Sequence, residues 1–246
     1  GEYMSRPTVE ISQKYGKDLS LVIKLFGSNA INRLFSIKSK LDSGLASLLK
    51  KENISDIILQ FICDLIPCIL PRRIQFFKKQ FEHHLILKME NEGIEEARNF
   101  LKEFFNKENG DWFECNHNEA KLAEINRFVT AAAIIRKKNI LDKRTGPILA
   151  LDIALKRNEK NWFEVLPENI RKDIYSSFYY GHFFCHVMHH DYILKKKISP
   201  EIIKKKMLEI LDKKGAEYPA EHNVGRHYVA KQQLAKFYKE LDPTNT

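Results

Sequence analysis

Four cysteines in 246 residues, Cys63, Cys68, Cys115 and Cys185, form no CxxC pair. That removes the commonest zinc-ribbon and dithiol spacings, and with no secretory leader it points to a reduced, cytosolic setting. Long apolar runs are also missing. The most apolar stretch, Ile57 to Leu70, is interrupted by Gln60, Asp64 and Pro67, whereas a bilayer-spanning helix needs roughly 20 predominantly apolar residues. No repeat of 20 to 50 residues and no low-complexity tract is visible. An initiator Met and a targeting segment are absent before Gly1-Glu2-Tyr3-Met4, and the chain stops at Asp242-Pro243-Thr244-Asn245-Thr246, so it reads as a piece of a longer protein.

What is present is a globular composition: 43% apolar residues and sixteen Phe, enough to pack a core and unlike a disordered chain. The formal charge of +9 is unevenly spread. Residues 1–80 hold thirteen Lys/Arg against seven acids and residues 119–146 hold seven against three, while the remainder is close to neutral. Both basic segments mix cations with apolar groups, at Lys38 and Lys40, Lys50 and Lys51, Arg72 and Arg73, Lys78 and Lys79, and Arg136, Lys137 and Lys138. That mixture suits an anionic phospholipid surface, where each cation is worth about 1 kcal/mol and inserted Phe, Ile or Leu adds anchoring. An ordinary solvated basic face is the plainer reading of the same charge. Nucleic acid is the rival partner of any basic patch; no recognition motif accompanies these segments, and none is assigned.

Apolar spacing of three and four from Leu19 to Leu70 predicts short amphipathic helices. From Phe81 the pattern changes to a strand at 82–89, a helix at 92–107 and a strand at Asp111–Cys115, a β-α-β unit. A second run comprises a strand at Ile148–Leu155, a helix at 167–175 and an aromatic strand at 178–194. Ser199-Pro200-Glu201 then opens a helix that Gly215 stops. The fold class expected is α+β, an antiparallel sheet with helices on one face.

Five of nine histidines fall in Gly181–Asp191 and Ala220–Gly225. In one regular strand His182, His186 and His190 would share a face and His189 would point to the other. Two or three imidazoles with a carboxylate such as Glu221 would suit a divalent metal, yet structural hydrogen bonding serves such residues equally, and spacing alone does not decide. His222, between Glu221 and Asn223, suits acid/base work or a capping role. Arg127 and Arg136 suit carboxylate binding or pairing with a neighbouring acid.

These residues resemble the membrane-binding and cap region of the bacterial respiratory FAD-dependent D-lactate dehydrogenases, which pass electrons to quinone. The resemblance runs along essentially the whole chain. It is carried by Gly1-Glu2-Tyr3-Met4, Lys14-Tyr15-Gly16-Lys17-Asp18, Glu82-His83-His84-Leu85, Leu149-Ala150-Leu151-Asp152-Ile153-Ala154-Leu155, Tyr180-Gly181-His182-Phe183, His189-His190-Asp191-Tyr192 and Tyr218-Pro219-Ala220-Glu221-His222-Asn223-Val224-Gly225. It implies a ferredoxin-like cap at 81–118 and 147–215, a basic helical membrane-binding part at 1–80 and 119–146, and a segment 216–246 leading to an FAD-binding domain outside the chain. It implies a peripheral protein on the cytoplasmic face of the bacterial inner membrane, with anionic phospholipid, quinone and D-lactate as partners.

In the wider group of flavin-dependent D-2-hydroxyacid dehydrogenases, two His and a Glu bind a divalent metal, the next His takes the substrate hydroxyl proton and an Arg holds the carboxylate. On this chain those roles fall on His182, His189, Glu221, His222 and Arg127, which leaves His186 and His190 structural. Three departures stand out: Phe183–Met188 reads as extended where the group has a Gly-Asp-Gly-Asn turn, Asn223 replaces a Gly, and Ala150 stands near the group's substrate Lys. The alternative is a stand-alone basic module that binds anionic membranes without catalysis.

Overall fold

The computed structural model describes residues 1–49, 53–141, 143–220 and 232–244. One five-stranded antiparallel sheet organises them, in the order β2-β1-β4-β5-β3. The chain enters at β1 (Glu2–Ser5), close to the middle of the sheet. It then runs through five helices: α1 (Arg6–Tyr15), α2 (Lys17–Phe26), α3 (Asn29–Leu49), α4 (Ile54–Leu65) and α5 (Arg72–Gln80). Edge strand β2 (His83–Ile86) returns beside β1. Next come α6 (Gly93–Phe105), α7 (His117–Phe128) and α8 (Thr130–Ile140), then β3 (Thr145–Ala154) and the short α9 (Glu168–Arg171). Strands β4 (Ile174–His182) and β5 (Val187–Lys195) form a hairpin, and α10 (Pro200–Lys214) and α11 (Gln232–Leu241) follow.

The α+β class and the antiparallel sheet agree with the sequence reading, but helices cover both faces of the sheet where one was expected. Alternation explains the two sides. Leu149, Leu151, Ile153, Met188, Tyr192 and Leu194 point one way and bury against Ile203, Met207 and Leu211 of α10. Met4, Phe178, Tyr180 and Ile193 point the other way, onto Val9 and Ile11 of α1, Leu122 of α7 and Ala133 and Ile134 of α8. A short β1 suffices to staple this second layer: Thr8 Oγ1 on α1 donates to Tyr179 O at 3.1 Å and accepts from Tyr179 N at 3.0 Å. Among the described residues of 1–80 the regular elements are therefore five helices and β1, which belongs to the sheet.

Local chemistry accounts for the ends of the helices. α7 starts in a capping box, with Asn116 Oδ1 accepting from Glu119 N and Glu119 Oε2 accepting from Asn116 N, both at 2.9 Å. α10 starts as expected at Ser199, with Pro200 in its first turn, and stops at Gly215 in the left-handed region. Residues Asp111–Cys115 do not form the expected strand. Phe113 packs edge-on against Phe77 and lies under the Arg73 guanidinium instead, and the next residue after Cys115, Asn116, is already committed to capping α7. The helix expected at 167–175 is cut to Glu168–Arg171 because Ile174 joins β4.

α4 is built inside out. Its polar residues Ser55, Asp56 and Gln60 are buried together with Cys63. Its large apolar residues Ile57, Ile58, Phe61, Ile62 and Leu65 are exposed. The polar side is held inward: Gln60 Nε2 donates to Lys14 O at 2.9 Å and to Asp64 Oδ1 at 2.7 Å, and Asn139 Nδ2 donates to Asp56 Oδ2 at 2.8 Å. Lys38 reaches the same Asp56 at 3.2 Å.

Candidate functional site

The β4–β5 hairpin decides which histidines meet. Phe183–Cys185 makes one 3-10 turn and His186 closes it in the left-handed region at φ 54°, a conformation His tolerates better than most side chains. Gly181 is required just before it, since a Cβ there would lie 2.3 Å from Val187 O and 2.8 Å from Met188 Cα. The stretch Phe183–Met188 thus turns where it read as extended. Reversal of the chain also overturns the face assignment made for a single strand. Tyr180 stands opposite His189, and His182 opposite Val187, so His182 and His189 share a face. His190 points into the other layer, and His186 sits on the turn, its ring 2.9 Å from Lys156 O.

Two carboxylates that sequence reasoning passed over complete this face. Glu2 on β1 stands opposite His182, and Asp152 on β3 stands opposite His189. The His182 Nδ1–Glu2 Oε1 and His189 Nδ1–Asp152 Oδ1 distances are both 2.7 Å. A carboxylate beside Nδ1 selects the tautomer with hydrogen on Nδ1, which leaves the lone pair on Nε2. The imidazole rings stand edge to face with centroids 5.6 Å apart. The alternation of Leu149, Leu151 and Ile153 carried the signal for Asp152, since the residues between them must face the opposite side.

Arg127, near the end of α7, joins the same row. Its Nε lies 2.9 Å from Glu2 Oε2 and its guanidinium stacks 4.6 Å from the Tyr180 ring centroid, which stands 5.1 Å from the His189 ring. Tyr180 OH donates to Asp191 Oδ2 at 2.7 Å. Burial and, next, the Asp191 charge push the Tyr180 phenol well above its ordinary pKa, so it is a proton donor throughout the working range. Burial likewise raises the Asp191 carboxyl. The result is a row of Glu2, Arg127, Tyr180, His182, His189 and Asp152 across four strands and one helix.

Among the described residues no group of three or more His, Cys, Asp or Glu could hold a metal ion. Glu221 and His222 lie outside the described residues, as do Lys50 and Lys51. What is described fits a ligand pair in one respect: metal-binding imidazoles ordinarily give their other nitrogen to a carboxylate, and both His182 and His189 do so.

The basic residues separate into two groups. Lys40, Arg72 and Lys79 are exposed. Arg73 is exposed but engaged, its Nη2 2.5 Å from Glu119 Oε2 and its Nε 2.9 Å from Glu119 Oε1. Lys38 is tied to Asp42 and Asp56, and Lys78 is half-buried 3.3 Å from Gln13 Oε1. Arg136 requires a correction: it is buried, with Nη1 and Nη2 donating to Asp18 at 2.6 and 2.8 Å and Nη1 to Tyr15 O at 2.8 Å. It neutralises the interior and does not face a membrane. Lys137 is half-buried over Phe178 and donates to Ser176 Oγ at 3.0 Å; burial lowers its pKa. Lys138 is half-buried as well.

An α+β module with a carboxylate-buttressed histidine pair on one sheet face and a basic helical layer beside it is the class of protein defined so far. The family described as "D-lactate dehydrogenase, membrane binding" matches residues 1–246, and the chain belongs to that family. It is 48% identical over 248 residues to the quinone-dependent D-lactate dehydrogenase of Haemophilus influenzae. To the enzymes of the same name from Escherichia coli K12 and Corynebacterium glutamicum it is 42% and 37% identical. Each alignment covers 100% of this chain and 43–44% of the relative, so the chain spans less than half the length of these curated relatives. Among the described residues no helix is long and apolar enough to cross a membrane.

Proposed function

We propose that this chain is the cap and membrane-binding part of a peripheral flavoenzyme that oxidises D-lactate to pyruvate and passes the electrons through FAD to a quinone. The observation that supports this most is the convergence of Arg127, His182 and His189 on one sheet face of a chain aligned end to end with quinone-dependent D-lactate dehydrogenases. We assign FAD to a domain outside these residues and take the row from Glu2 to Asp152 as the wall that closes over the substrate. FAD, when bound, supplies the two-electron acceptor for the hydride leaving C2.

In this reading Arg127 holds the lactate carboxylate, shares its charge with Glu2 and is kept flat by Tyr180. His222 takes the hydroxyl proton as the C2–H bond breaks. Asp152 and Glu2 fix the tautomers of His189 and His182, so that both present an Nε2 lone pair. A divalent metal, when bound, would be held by those two nitrogens with Glu221 and would stabilise negative charge on the substrate oxygen. The exposed cations Lys40, Arg72 and Lys79, with Lys50 and Lys51, meet anionic phospholipid on the cytoplasmic face of the bacterial inner membrane, which keeps the reduced flavin near a lipid-soluble quinone.

The test is anaerobic mixing of D-lactate with the whole protein that contains this chain. Flavin bleaching is expected, and His222→Gln should slow it about 10²- to 10⁴-fold. Failure of D-lactate to bleach the flavin, or unchanged bleaching in the variant, would sink the assignment.

A further inference from the structure

We infer that α4 is an in-plane hydrophobic anchor, with Ile57, Ile58, Phe61, Ile62 and Leu65 in the acyl boundary of a lipid bilayer. The inference rests on the membrane reading above and deepens it, because the contact becomes apolar insertion framed by charge and not headgroup pairing alone. A helix on a water-soluble surface buries its apolar stripe and exposes its polar one. α4 does the reverse, with Phe61 67% and Leu65 71% exposed while Ser55, Asp56 and Gln60 are 4%, 3% and 9% exposed.

The orientation is fixed by partners and is not a matter of free rotation. Turning the apolar stripe inward would pull Gln60 from Lys14 O, Asp56 from Asn139 and Lys38, and Cys63 Sγ from Lys14 O. Those groups would then be exchanged for buried apolar ones along the same helix. Leu25 and Phe26, at the end of the adjoining α2, are exposed too. Exposed large apolar side chains on two helices that pack together mark an interaction site.

Charge identifies the occupant. Lys24, Arg33, Lys40, Arg72 and Lys79 are exposed, and among the described residues from 17 to 80 Asp64 is the one exposed acid. A second copy of the chain would set those cations against their like, whereas a phospholipid surface offers phosphates above an apolar layer. At 12 residues α4 is about 18 Å long against an apolar core of about 30 Å, so it lies in the interface and does not span.

The experiment uses the whole protein and flotation with phosphatidylcholine vesicles with and without phosphatidylglycerol, at about 0.1 M and about 1 M NaCl, where the screening length shrinks to about 3 Å. Wild type should stay on phosphatidylglycerol vesicles in the high salt. The triple variant Ile58→Gln, Phe61→Gln, Leu65→Gln should be released there, with partitioning weakened by about 30-fold or more. Arg72→Gln with Lys79→Gln should weaken binding chiefly at low salt. Because all three apolar positions are exposed, the triple variant should keep its unfolding midpoint. A Phe61→Trp variant should show blue-shifted emission on vesicles and quenching by brominated acyl chains. Full release of wild type by salt, with the triple variant binding as wild type does, would overturn insertion and leave electrostatic docking standing. Absence of binding to any vesicle would overturn the membrane reading itself. Emission from the Phe61→Trp variant that is already blue-shifted without lipid and unresponsive to brominated chains would show protein covering α4, and would end the proposal.

Discussion

Arg136 and Arg72 both belong to basic stretches of the sequence, yet the structure gives them opposite roles, and replacing each with a neutral residue separates the two. Arg136 has a side chain 5% exposed, and its partner Asp18 one 13% exposed. Arg136→Met keeps the length of the side chain but leaves Asp18 without its two charged hydrogen bonds and Tyr15 O without a donor; Asp56, 3.9 Å from the same guanidinium, loses a nearby countercharge. Removing one member of a buried ion pair costs about 3–5 kcal/mol, mainly through the stranded partner. At about 2–4 °C per kcal/mol for a unit of this size, the α1–α2–α8 layer should lose roughly 6–20 °C. Hydrogen exchange on the whole protein reads this loss locally, as faster exchange in α1, α2 and α8 with the α10 face of the sheet little changed. Adding Asp18→Leu should recover part of the stability, because the stranded charge goes with it. Arg72→Gln should stay within about 0.5 kcal/mol of wild type. An Arg136→Met variant as harmless to exchange as Arg72→Gln would show that the buried pair does not hold this layer, and weakened vesicle binding would place Arg136 at the lipid surface instead.

Three further outcomes follow from the same geometry. Hydrogen bonds from Arg73, and next from the Asn116 amide, hold the Glu119 carboxyl down at about 2. Its contribution to stability is therefore complete above the unfolded value of about 4.3 and is lost as pH falls towards 2; Glu119→Gln should flatten the urea midpoint against pH across that window, and an unchanged slope would dismiss the pair. Gly181→Ala forces a Cβ into Val187 O and should cost about 1–3 kcal/mol, measured as a lower urea midpoint; a neutral result would show that the hairpin has room to shift. Asp152→Asn exchanges the carboxylate that sets the His189 tautomer for an amide that can donate to Nδ1, and should lower D-lactate turnover about 10- to 100-fold with little change in unfolding midpoint, whereas a drop in stability with normal turnover would make Asp152 a structural partner only.

The amphipathic helices between Leu19 and Leu70, the helix after Glu92, the start and stop of α10 and the α+β class were legible because caps, periodicity and apolar alternation are local signals; α7, α8 and the shortness of α9 were not read from them. The pairing of His182 with His189 on one face was not legible, although both residues stand out in the sequence. A period of two sorts His182 from His189 only while the chain stays in one strand, and the reversal at Phe183–His186 carries no Gly-Asp or Asn-Gly signal to announce it; a histidine in the left-handed region makes the turn. Glu2 was invisible as a partner because its contact with His182 is a pairing across 180 residues. α4 misled for another reason. Its spacing states that one face is apolar, but which face turns inward is decided by Lys14, Lys38 and Asn139, residues far along the chain that supply its polar side with partners.

Whether the face carrying Glu2, Arg127, His182 and His189 is the wall of a D-lactate site is read from the rate of flavin reduction in the whole protein carrying Arg127→Met, measured against D-lactate concentration. The variant should lose saturation, with kcat/KM for D-lactate down about 30- to 1000-fold from the missing charged hydrogen bonds and the flavin still reducible by dithionite. Saturation by D-lactate at the wild-type concentration, with an unaltered rate, would show that this face does not line the D-lactate site.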